Sequence, residues 1–364
     1  MIRIRALAVL ILWTAIVWAV PLLGLAAAGH PVLGYLEFPP RTHFVAHADF
    51  AWGAFVLFAL PAVGALALFA LALVNARPVQ APRPRMGLRF PWWGWLGLGL
   101  NAASWCLAWQ DDIVPPEWRR HVFTPLWLGY ILVLNGLVYR RTGRSLLTHR
   151  SAWFAALFPV SAVFWWLFEH LNQFAANWHY VGIVARGDWD YFVQATLPFS
   201  TVLPAVASTW RWLRQFGRLD AMRLAPIKAR PVIAWLALAA GLAALAGIGL
   251  WPEALFSMLW LAPLAVLAGL QRLVLGESFF APLARGDWRP LLQPALAALI
   301  CGICWELWNW GSLAQWRYSV PYVQRFMLFE MPLLGYAGYL PFGIECALVM
   351  DLVARALGRR SVWQ

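Results

Sequence analysis

The sequence is short of charged residues, and of acidic ones above all. Charged side chains make up 12% of the 364 residues, with 16 acidic against 28 basic, while hydrophobic residues make up 62%. Soluble domains carry about 25% charged residues, so this composition argues against a soluble protein. It predicts a polytopic membrane protein with the lipid bilayer as its surroundings. The positive excess then reflects membrane topology, and nucleic acid is not expected as a partner.

Cysteine is scarce, and the common nucleotide and hydrolase motifs are missing. The four cysteines all lie inside apolar stretches, so they form no disulfide framework, and Cys301-x-x-Cys304 lacks a thioredoxin-like context. The sequence contains no Walker loop, dinucleotide fingerprint or Gly-x-Ser-x-Gly elbow. ATP-driven and serine-hydrolase functions therefore have no support, and no cofactor is predicted.

Apolar stretches long enough to cross a bilayer recur along the chain. We predict an all-α, polytopic membrane helix bundle of about ten transmembrane helices. The predicted spans are 6–28, 50–74, 91–109, 124–139, 151–170, 191–210, 231–250, 254–271, 291–311 and 332–354. The first is similar to a signal peptide in its flanking arginines, but its long apolar stretch favours a retained helix.

The basic residues favour one orientation of these spans. With the N-terminus inside, all but six of the 28 basic residues fall at the termini or in every second loop. The exceptions are Arg41, Arg119, Arg120, Arg186, Arg317 and Arg325. This bias follows the positive-inside rule and predicts a bacterial-type inner-membrane protein with both termini cytoplasmic.

One motif occurs twice within these spans. The first copy is Trp166, Glu169, Asn172, Trp178 and Tyr180, and the second is Trp305, Glu306, Asn309, Trp316 and Tyr318. The number of residues from the first Glu to the second is the repeat interval. The two Asn are separated by the same interval, and the two Trp-x-Tyr pairs are separated by one residue more. A charged group at the centre of a bilayer costs about 3 kcal/mol or more, so its default interpretation is functional.

Similar residues recur beyond the motif, which indicates two copies of a four-helix unit. Leu126-Trp127 matches Leu259-Trp260, and Gly136-Leu137 matches Gly269-Leu270 at the same spacing. The predicted organisation is two N-terminal helices in 1–75, a basic Pro/Arg linker at 76–90, repeat one at 91–213, a basic linker at 214–230, repeat two at 231–354 and a cytoplasmic tail at 355–364. An even number of spans gives both copies the same orientation, and such parallel repeats commonly build a site between them.

Each Glu–Asn pair is a candidate catalytic unit. Residues three apart lie on one helix face, so we expect the amide of Asn172 or Asn309 to hydrogen-bond the neighbouring carboxyl group. A carboxyl in apolar, aromatic surroundings is a capable general acid. The alternative is a structural pair that holds the two repeats in register.

The repeated aromatic residues are candidate substrate-binding residues. They are Trp178, Tyr180, Trp316 and Tyr318, just past the helix ends, with Trp305 and Trp166 beside the glutamates. They could cover the site and stabilise a cation with their faces. The alternative is that they anchor the protein at the membrane interface, where Trp and Tyr are common.

The second copy carries extra acidic residues. Glu330 precedes the last span and Glu345 lies near its centre, whereas residues 193–195 of the first copy contain no acid at the position matching Glu330. We therefore expect the second copy to be the chemical one, with both acids as auxiliary catalytic candidates. Asn101 or Asn135 could pair with Glu345.

Two histidines are candidate ligands of a metal site. His43 and His47 stand four residues apart with Asp49 behind them, which would suit a metal on a helical turn. Two prolines lie just upstream, and no metalloprotease motif accompanies the histidines. No metal is predicted.

At the duplicated motif the chain resembles, distantly, the small integral-membrane lycopene cyclases of the tandem or heterodimeric type. The resemblance covers residues 165–206 and 304–346: a tryptophan and an acid in a span, then Trp-x-aromatic, then a helix with Pro and Glu. It implies proton-initiated cyclisation of a polyene, with Glu as the acid and aromatic residues around the cation. The family's Pro-x-Glu-Glu is absent, and the repeats here are longer than that family's domains.

These observations favour a membrane-embedded enzyme acting on an apolar isoprenoid, carotenoid or lipid substrate by general-acid chemistry. Glu306 would be the acid and Asn309 its orienting partner, with Glu169 and Asn172 forming a second or vestigial site. A proton-coupled transporter or lipid flippase is the main alternative. A structural or assembly protein without catalysis is the third, and the oligomeric state stays open.

Overall fold

A computed structural model describes residues 2–77, 88–110 and 113–359, and helices dominate them. The α-helices are α1 Ile2–Ala27, α2 Trp52–Asn75, α3 Trp92–Ala108, α4 Pro116–Arg119, α5 Phe123–Thr142, α6 Leu146–His149, α7 Ser151–Ala175, α8 Asp188–Phe199, α9 Val202–Leu213, α10 Val232–Gly247, α11 Pro252–Leu255, α12 Met258–Leu275, α13 Arg289–Trp310 and α14 Tyr339–Ala356. The strands are β1 Trp178–Val181, β2 Gln315–Tyr318, β3 Met327–Leu328 and β4 Met331–Pro332.

Six helical segments among the described residues are long and apolar enough to cross a membrane. They are α1, α2, α7, α12, α13 and Leu333–Ala356, the last of which joins a 3₁₀ turn to α14. The prediction of a helical membrane protein is confirmed at this level. The count of ten spans stays a prediction, because α3, α5, α9 and α10 are shorter or more polar.

The single helix predicted for 191–210 is wrong, because the structure divides it into α8 and α9. Ser161 of α7 explains the break. Its hydroxyl donates to the Phe199 carbonyl (2.6 Å) and accepts from the Leu203 N–H (3.0 Å). These are the two groups that would bond each other in a continuous helix, so the inserted hydroxyl replaces that bond.

The helices pack around α14, which contacts α1, α7, α9, α12 and α13. Two helix pairs, α3 with α5 and α10 with α12, pack especially closely. A Cβ on Gly97 would lie 2.9 Å from the Gly129 carbonyl oxygen, and one on Gly269 would lie 2.8 Å from that of Ala234. Small residues thus bring the backbones together in both pairs. By contrast, α2 is peripheral and buries only Ala72.

One end of the bundle is covered by an antiparallel pair of strands, β1 and β2. The segment between α1 and α2 lies against them, because Ser319 just after β2 donates its hydroxyl to the Val45 carbonyl (2.6 Å). Of the predicted linkers, 214–230 packs onto α13, where Gln293 donates to the Leu219 carbonyl (2.8 Å). Residues 78–87 of linker 76–90 and residues 360–364 of the predicted tail lie outside the described residues.

Candidate functional site

The two repeated glutamates lie near the ends of α7 and α13, directly beneath the strand pair. Glu169 is 1% exposed and Glu306 is 0% exposed. Because side chains alternate along a strand, Trp178 and Tyr180 point to one side of β1, and Trp316 and Tyr318 do the same in β2. That side faces the glutamates.

Glu169 receives three hydrogen bonds on the same carboxyl oxygen, Oε1. The donors are the Trp165 indole N–H (2.9 Å), the Trp178 indole N–H (3.3 Å) and the Tyr180 hydroxyl (2.6 Å). Two of these donors come from β1 and one from the same helix as the glutamate. An aromatic side chain that buries its ring and donates from its polar edge suits an apolar site.

Glu306 is held in the same way by a different set of donors. Its Oε1 accepts from the Trp316 indole (3.3 Å) and from the hydroxyls of Tyr318 and Tyr339 (2.8 Å each). Tyr318 also accepts from the Trp316 indole (3.0 Å). The second carboxyl oxygen, Oε2, is buried and has no hydrogen-bond partner among the described residues.

The third donor has changed position between the two sites. At the repeat interval, Trp165 corresponds to Gly302 and Val202 corresponds to Tyr339. A Cβ on Gly302 would overlap the Tyr339 ring, so the glycine provides the space in which that ring lies. A donor on the glutamate's own helix at one site is thus replaced by a donor on a neighbouring helix at the other.

The asparagines clamp the strands rather than the glutamates. Asn172 donates to the Trp178 carbonyl (2.7 Å) and accepts from the Asn177 and Trp178 N–H groups (2.9 and 3.3 Å). Asn309 donates to the Trp316 carbonyl (2.8 Å) and accepts from the Trp316 N–H (2.9 Å). The expected bond from amide to carboxyl is therefore wrong, because the strand backbone uses both polar ends of each amide.

The hydrogen bonds of the two asparagines also explain why the Trp-x-Tyr pairs lie one residue further apart in the sequence than the two glutamates do. Trp178 is the sixth residue after Asn172, whereas Trp316 is the seventh after Asn309. Since both amides bond the same strand position, the connecting turn takes up the additional residue. In the first copy that turn passes through Ala176, whose φ of 47° lies in the left-handed region.

The two strands pair antiparallel, so that the tryptophan of each strand lies opposite the tyrosine of the other. Trp178 lies opposite Tyr318 and Tyr180 lies opposite Trp316, with His179 and Arg317 at the centre. This register is that of a local two-fold axis passing between His179 and Arg317. The two glutamate sites are therefore related by this axis and lie side by side beneath one strand pair.

A cavity of about 140 Å³ lies between the two sites. Its lining is largely aromatic and includes Trp165, Trp178, Trp260, Trp305, Trp316, Tyr180, Tyr191, Tyr318 and Tyr339, with Arg120 and Gln194 among its polar residues. Neither glutamate is part of the lining, because each lies behind its tyrosine and tryptophan donors. The aromatic residues thus line the cavity and separate each carboxyl group from it.

The cavity tyrosines of the strands are neutral donors. Burial, and next the neighbouring Glu169, raise the pKa of Tyr180 well above its usual range. Burial and Glu306 do the same to the pKa of Tyr318. Both hydroxyls therefore keep their protons over the physiological range and remain able to donate.

The structure brings together most of the predicted residues but not all of them. Trp166 donates to the Thr196 hydroxyl (3.0 Å) and stacks on Phe192, so it lies outside the cavity lining. Its neighbour Trp165 takes the place expected for it. Glu330 lies partly exposed in the turn between β3 and β4.

Glu345 is buried in α14 without a hydrogen-bond partner among the described residues on either carboxyl oxygen. The expected pairing with Asn101 or Asn135 is wrong. Asn101 donates to the Leu126 carbonyl (2.9 Å). Asn135 bonds the Ser208 hydroxyl (2.9 Å) and accepts from the Leu146 N–H (3.1 Å), so its amide is occupied by α9 and α6.

The histidine candidates are not gathered into a metal site. His47 uses one ring nitrogen on the Glu253 carboxylate (2.7 Å) and the other on the Ala176 carbonyl (3.2 Å). Both of its nitrogens are therefore engaged away from His43 and Asp49. Within the described ranges, no group of three or more His, Cys, Asp or Glu side chains is placed to hold a metal ion.

Sequence reasoning missed Trp165, Trp260 and Tyr339. Tyr339 donates to Glu306, and Trp260 stacks on Trp178 with ring centroids 5.8 Å apart. The repeat interval could have drawn attention to Trp165 and Tyr339, but only as mismatches. Searches of the chain against protein-family models, curated proteins and solved structures give no match.

Proposed function

We propose that the protein is a membrane-embedded enzyme that acts on an apolar isoprenoid or lipid substrate by general-acid chemistry. The observation that carries this proposal is the pair of buried glutamates, each held by three aromatic donors, beside a single aromatic cavity. A buried carboxyl group with several aligned donors is costly to assemble for packing alone, and buried acids in membrane proteins mark functional sites.

The arrangement around Glu306 suits proton delivery into the cavity. Its Oε1 already accepts three hydrogen bonds, whereas Oε2 has no partner among the described residues and can carry the proton. In the proposed step the Glu306 carboxyl group rotates to bring this proton to the Tyr318 or Tyr339 hydroxyl, and that hydroxyl passes its own proton to the substrate as it takes the one from Glu306. Protonation of an alkene uses its π electron pair to form a C–H bond and leaves a carbocation. After ring closure or double-bond migration, loss of a proton from a neighbouring carbon forms a new C=C bond, and that proton returns through the same tyrosine to the Glu306 carboxylate.

The cavity lining suits such a cation. Five indole rings and four phenol rings line the cavity, and aromatic faces attract positive charge. At about 140 Å³ the cavity accommodates one end of a long polyene rather than a whole chain. The resemblance to the lycopene cyclases favours the same class of substrate.

The proposal includes the membrane arrangement. The distribution of basic residues supports a bacterial-type inner-membrane protein of ten spans with both termini cytoplasmic. The duplication is supported by the common repeat interval and by the matched contacts of Glu169 with Glu306 and of Asn172 with Asn309. The cavity then lies toward the periplasmic side of the membrane.

The test is expression in a host that accumulates linear carotenoids and polyprenols. Lipid extracts from cells with the wild type, Glu306→Gln or the exposed control Glu277→Gln are compared by chromatography and mass spectrometry. We expect a product of altered ring number or double-bond position with the wild type and Glu277→Gln, and none with Glu306→Gln. Identical extracts from well-folded proteins would exclude the cyclase proposal.

A second measurement separates binding from chemistry. Because five tryptophans line the cavity, a bound polyene quenches tryptophan fluorescence of the purified protein. Glu306→Gln keeps the cavity, so we expect quenching with a similar midpoint but no product. Loss of both properties would indicate a structural role for Glu306 instead.

A proton-coupled transporter or flippase is a second candidate, favoured by buried polar groups deeper in the bundle. The Tyr130 hydroxyl contacts the Thr209 hydroxyl (2.8 Å), which contacts the Cys301 thiol (3.2 Å). Glu345 is fully buried in α14 and has no partner among the described residues. If this candidate holds, Glu345→Gln abolishes substrate movement driven by a proton gradient in proteoliposomes, and the lipid extracts stay unchanged.

A further inference from the structure

A second cavity, of about 290 Å³, lies at the opposite end of the bundle from the strands. Four arginines line it, Arg144, Arg150, Arg211 and Arg214, together with His149 and two tryptophan side chains. They come from the α5–α7 connection and from the end of α9. Four arginines converge on this one concave surface.

Among the described residues, this cavity carries more positive than negative charge. None of its described lining residues is acidic. Asp220 approaches from outside the lining, 3.6 Å from Arg214, and is shared with Arg289 at 3.3 Å. Burial, and next the charges of Arg214 and Arg150, lower the pKa of Arg211, so the lining is both desolvated and self-repelling.

Topology alone accounts for arginines on this side of the membrane but not for their grouping. Arginines that only fix orientation can extend separately into water and snorkel at the interface. Arg150, Arg211 and Arg214 are instead half-buried around one cavity that includes the Trp153 and Trp210 side chains. Holding like charges together in a partly desolvated pocket is unfavourable unless an anion joins them.

We propose that this cavity binds a phosphate-bearing anion. Guanidinium groups bind phosphate through paired N–H···O bonds, which gives geometric selectivity as well as charge. The volume of about 290 Å³ admits one or two phosphate groups with their water. The two tryptophans give the phosphate an apolar flank on which the rest of a phosphorylated molecule lies.

The site is separate from the aromatic cavity. Trp153, in its lining, lies near the start of α7, and Glu169 lies near the end of the same helix. At a rise of 1.5 Å per residue the two are about 24 Å apart along the helix. A ligand here therefore does not contact the proposed acid, and the two proposals can fail independently.

Two sources supply the same chemistry: a phospholipid headgroup at the membrane surface or a free phosphate compound. The first arm of the test is calorimetric titration of inorganic pyrophosphate into protein in neutral detergent at constant ionic strength. The second arm is native mass spectrometry of protein from phosphatidylcholine nanodiscs containing phosphatidylglycerol, which counts retained anionic lipid. The pocket variant is Arg150→Gln with Arg211→Gln, and the charge-matched control is Arg218→Gln with Arg285→Gln, two exposed arginines outside the pocket.

We expect the pocket variant to lose at least tenfold in pyrophosphate affinity or most of its retained phosphatidylglycerol, while the control changes by less than twofold. Loss in the first arm identifies a free phosphate ligand, and loss in the second alone identifies a headgroup. A variant carrying Arg150→Lys and Arg211→Lys keeps the charge and fold but loses the paired geometry, so it should bind several-fold more weakly. Equal behaviour of pocket variant and control in both arms would overturn the proposal.

Discussion

The two glutamate sites keep the same chemistry with different side chains. Each carboxyl group accepts two indole or phenol donors from its strand and a third from a helix, all on Oε1. The third donor is Trp165 on the glutamate's own helix in one site and Tyr339 on a neighbouring helix in the other. What is preserved is therefore the number of donors on the carboxyl group, rather than the packing that supplies them.

The two sites differ in what surrounds the shared arrangement. Glu306 keeps a carboxyl oxygen without a partner among the described residues, and Glu330 and Glu345 accompany it in its half of the chain. Glu169 has an indole as its third donor where Glu306 has a second phenol. This comparison favours Glu306 over Glu169 as the proposed acid, and the following substitutions test it.

The largest effect is expected from removing the asparagine clamps. Asn172→Ala removes partners from three backbone groups and Asn309→Ala from two, whereas Asn101→Ala removes only one. Each buried polar group left unpaired costs about 1–3 kcal/mol, so the loss of stability should fall in the order Asn172, Asn309, Asn101. Thermal unfolding in detergent measures the order, and equal losses would refute the assignment of the clamps.

The third donor is Trp165 at the first site and Tyr339 at the second. This difference can be tested by building the Trp165–Val202 pair of the first site into the second site. Gly302→Trp alone should clash with Tyr339 and cost about 1–3 kcal/mol, as overpacking does. Adding Tyr339→Val removes the ring and reproduces the pair found at the first site, so the double variant should recover part of the loss. Gly99→Ala, at an exposed position of α3 with open space around it, is the control and should be neutral or slightly stabilising, because alanine favours a helix more than glycine does. Additive losses in the double variant would show that the two positions are not coupled.

Removing one strand tyrosine should affect the second site more than the first. Tyr318 donates to Glu306 and also accepts from the Trp316 indole, whereas Tyr180 donates to Glu169. Each strand indole, of Trp178 or Trp316, also bonds its own carboxyl group at 3.3 Å. Tyr180→Phe should cost about 1 kcal/mol and Tyr318→Phe about 2 kcal/mol. If the proposed proton path holds, Tyr318→Phe also lowers product formation at least tenfold while Tyr180→Phe does not. The reverse order in both measurements would assign the acid to Glu169.

The smallest effect concerns the centre of the strand pair, where the copies differ as His179 and Arg317. Burial, and next Arg317, lower the pKa of His179 in the folded protein. The unfolded chain then binds the proton more strongly, so His179 costs stability as the pH falls through its ordinary value. His179→Gln should therefore reduce the loss of thermal stability between pH 7.5 and pH 5, and Arg317→Gln should reduce it less. An unchanged pH profile in His179→Gln would contradict this.

Much of the site could be predicted from the sequence, because most of its residues belong to a motif that lies within one short segment of the chain. Glu169 and Glu306 stand out as acids in apolar helices, and the strand residues Trp178, Tyr180, Trp316 and Tyr318 repeat at nearly the same distance from them. Tyr339 and Trp165 were not predictable in this way. Each contributes a donor that has no counterpart at the position one repeat interval away, so a comparison of the two motifs does not reveal them.

The sequence by itself determined the helical membrane character and the positions of the two acids, because hydrophobicity and charge act locally along the chain. Tertiary structure alone decided what the acids contact. The Ser161 hydroxyl divides a predicted span, Asn172 and Asn309 bond the strand backbone instead of the carboxyl groups, and Gly302 makes room for Tyr339. Each of these outcomes depends on two helices or a helix and a strand meeting at one point, which no spacing within a single segment specifies.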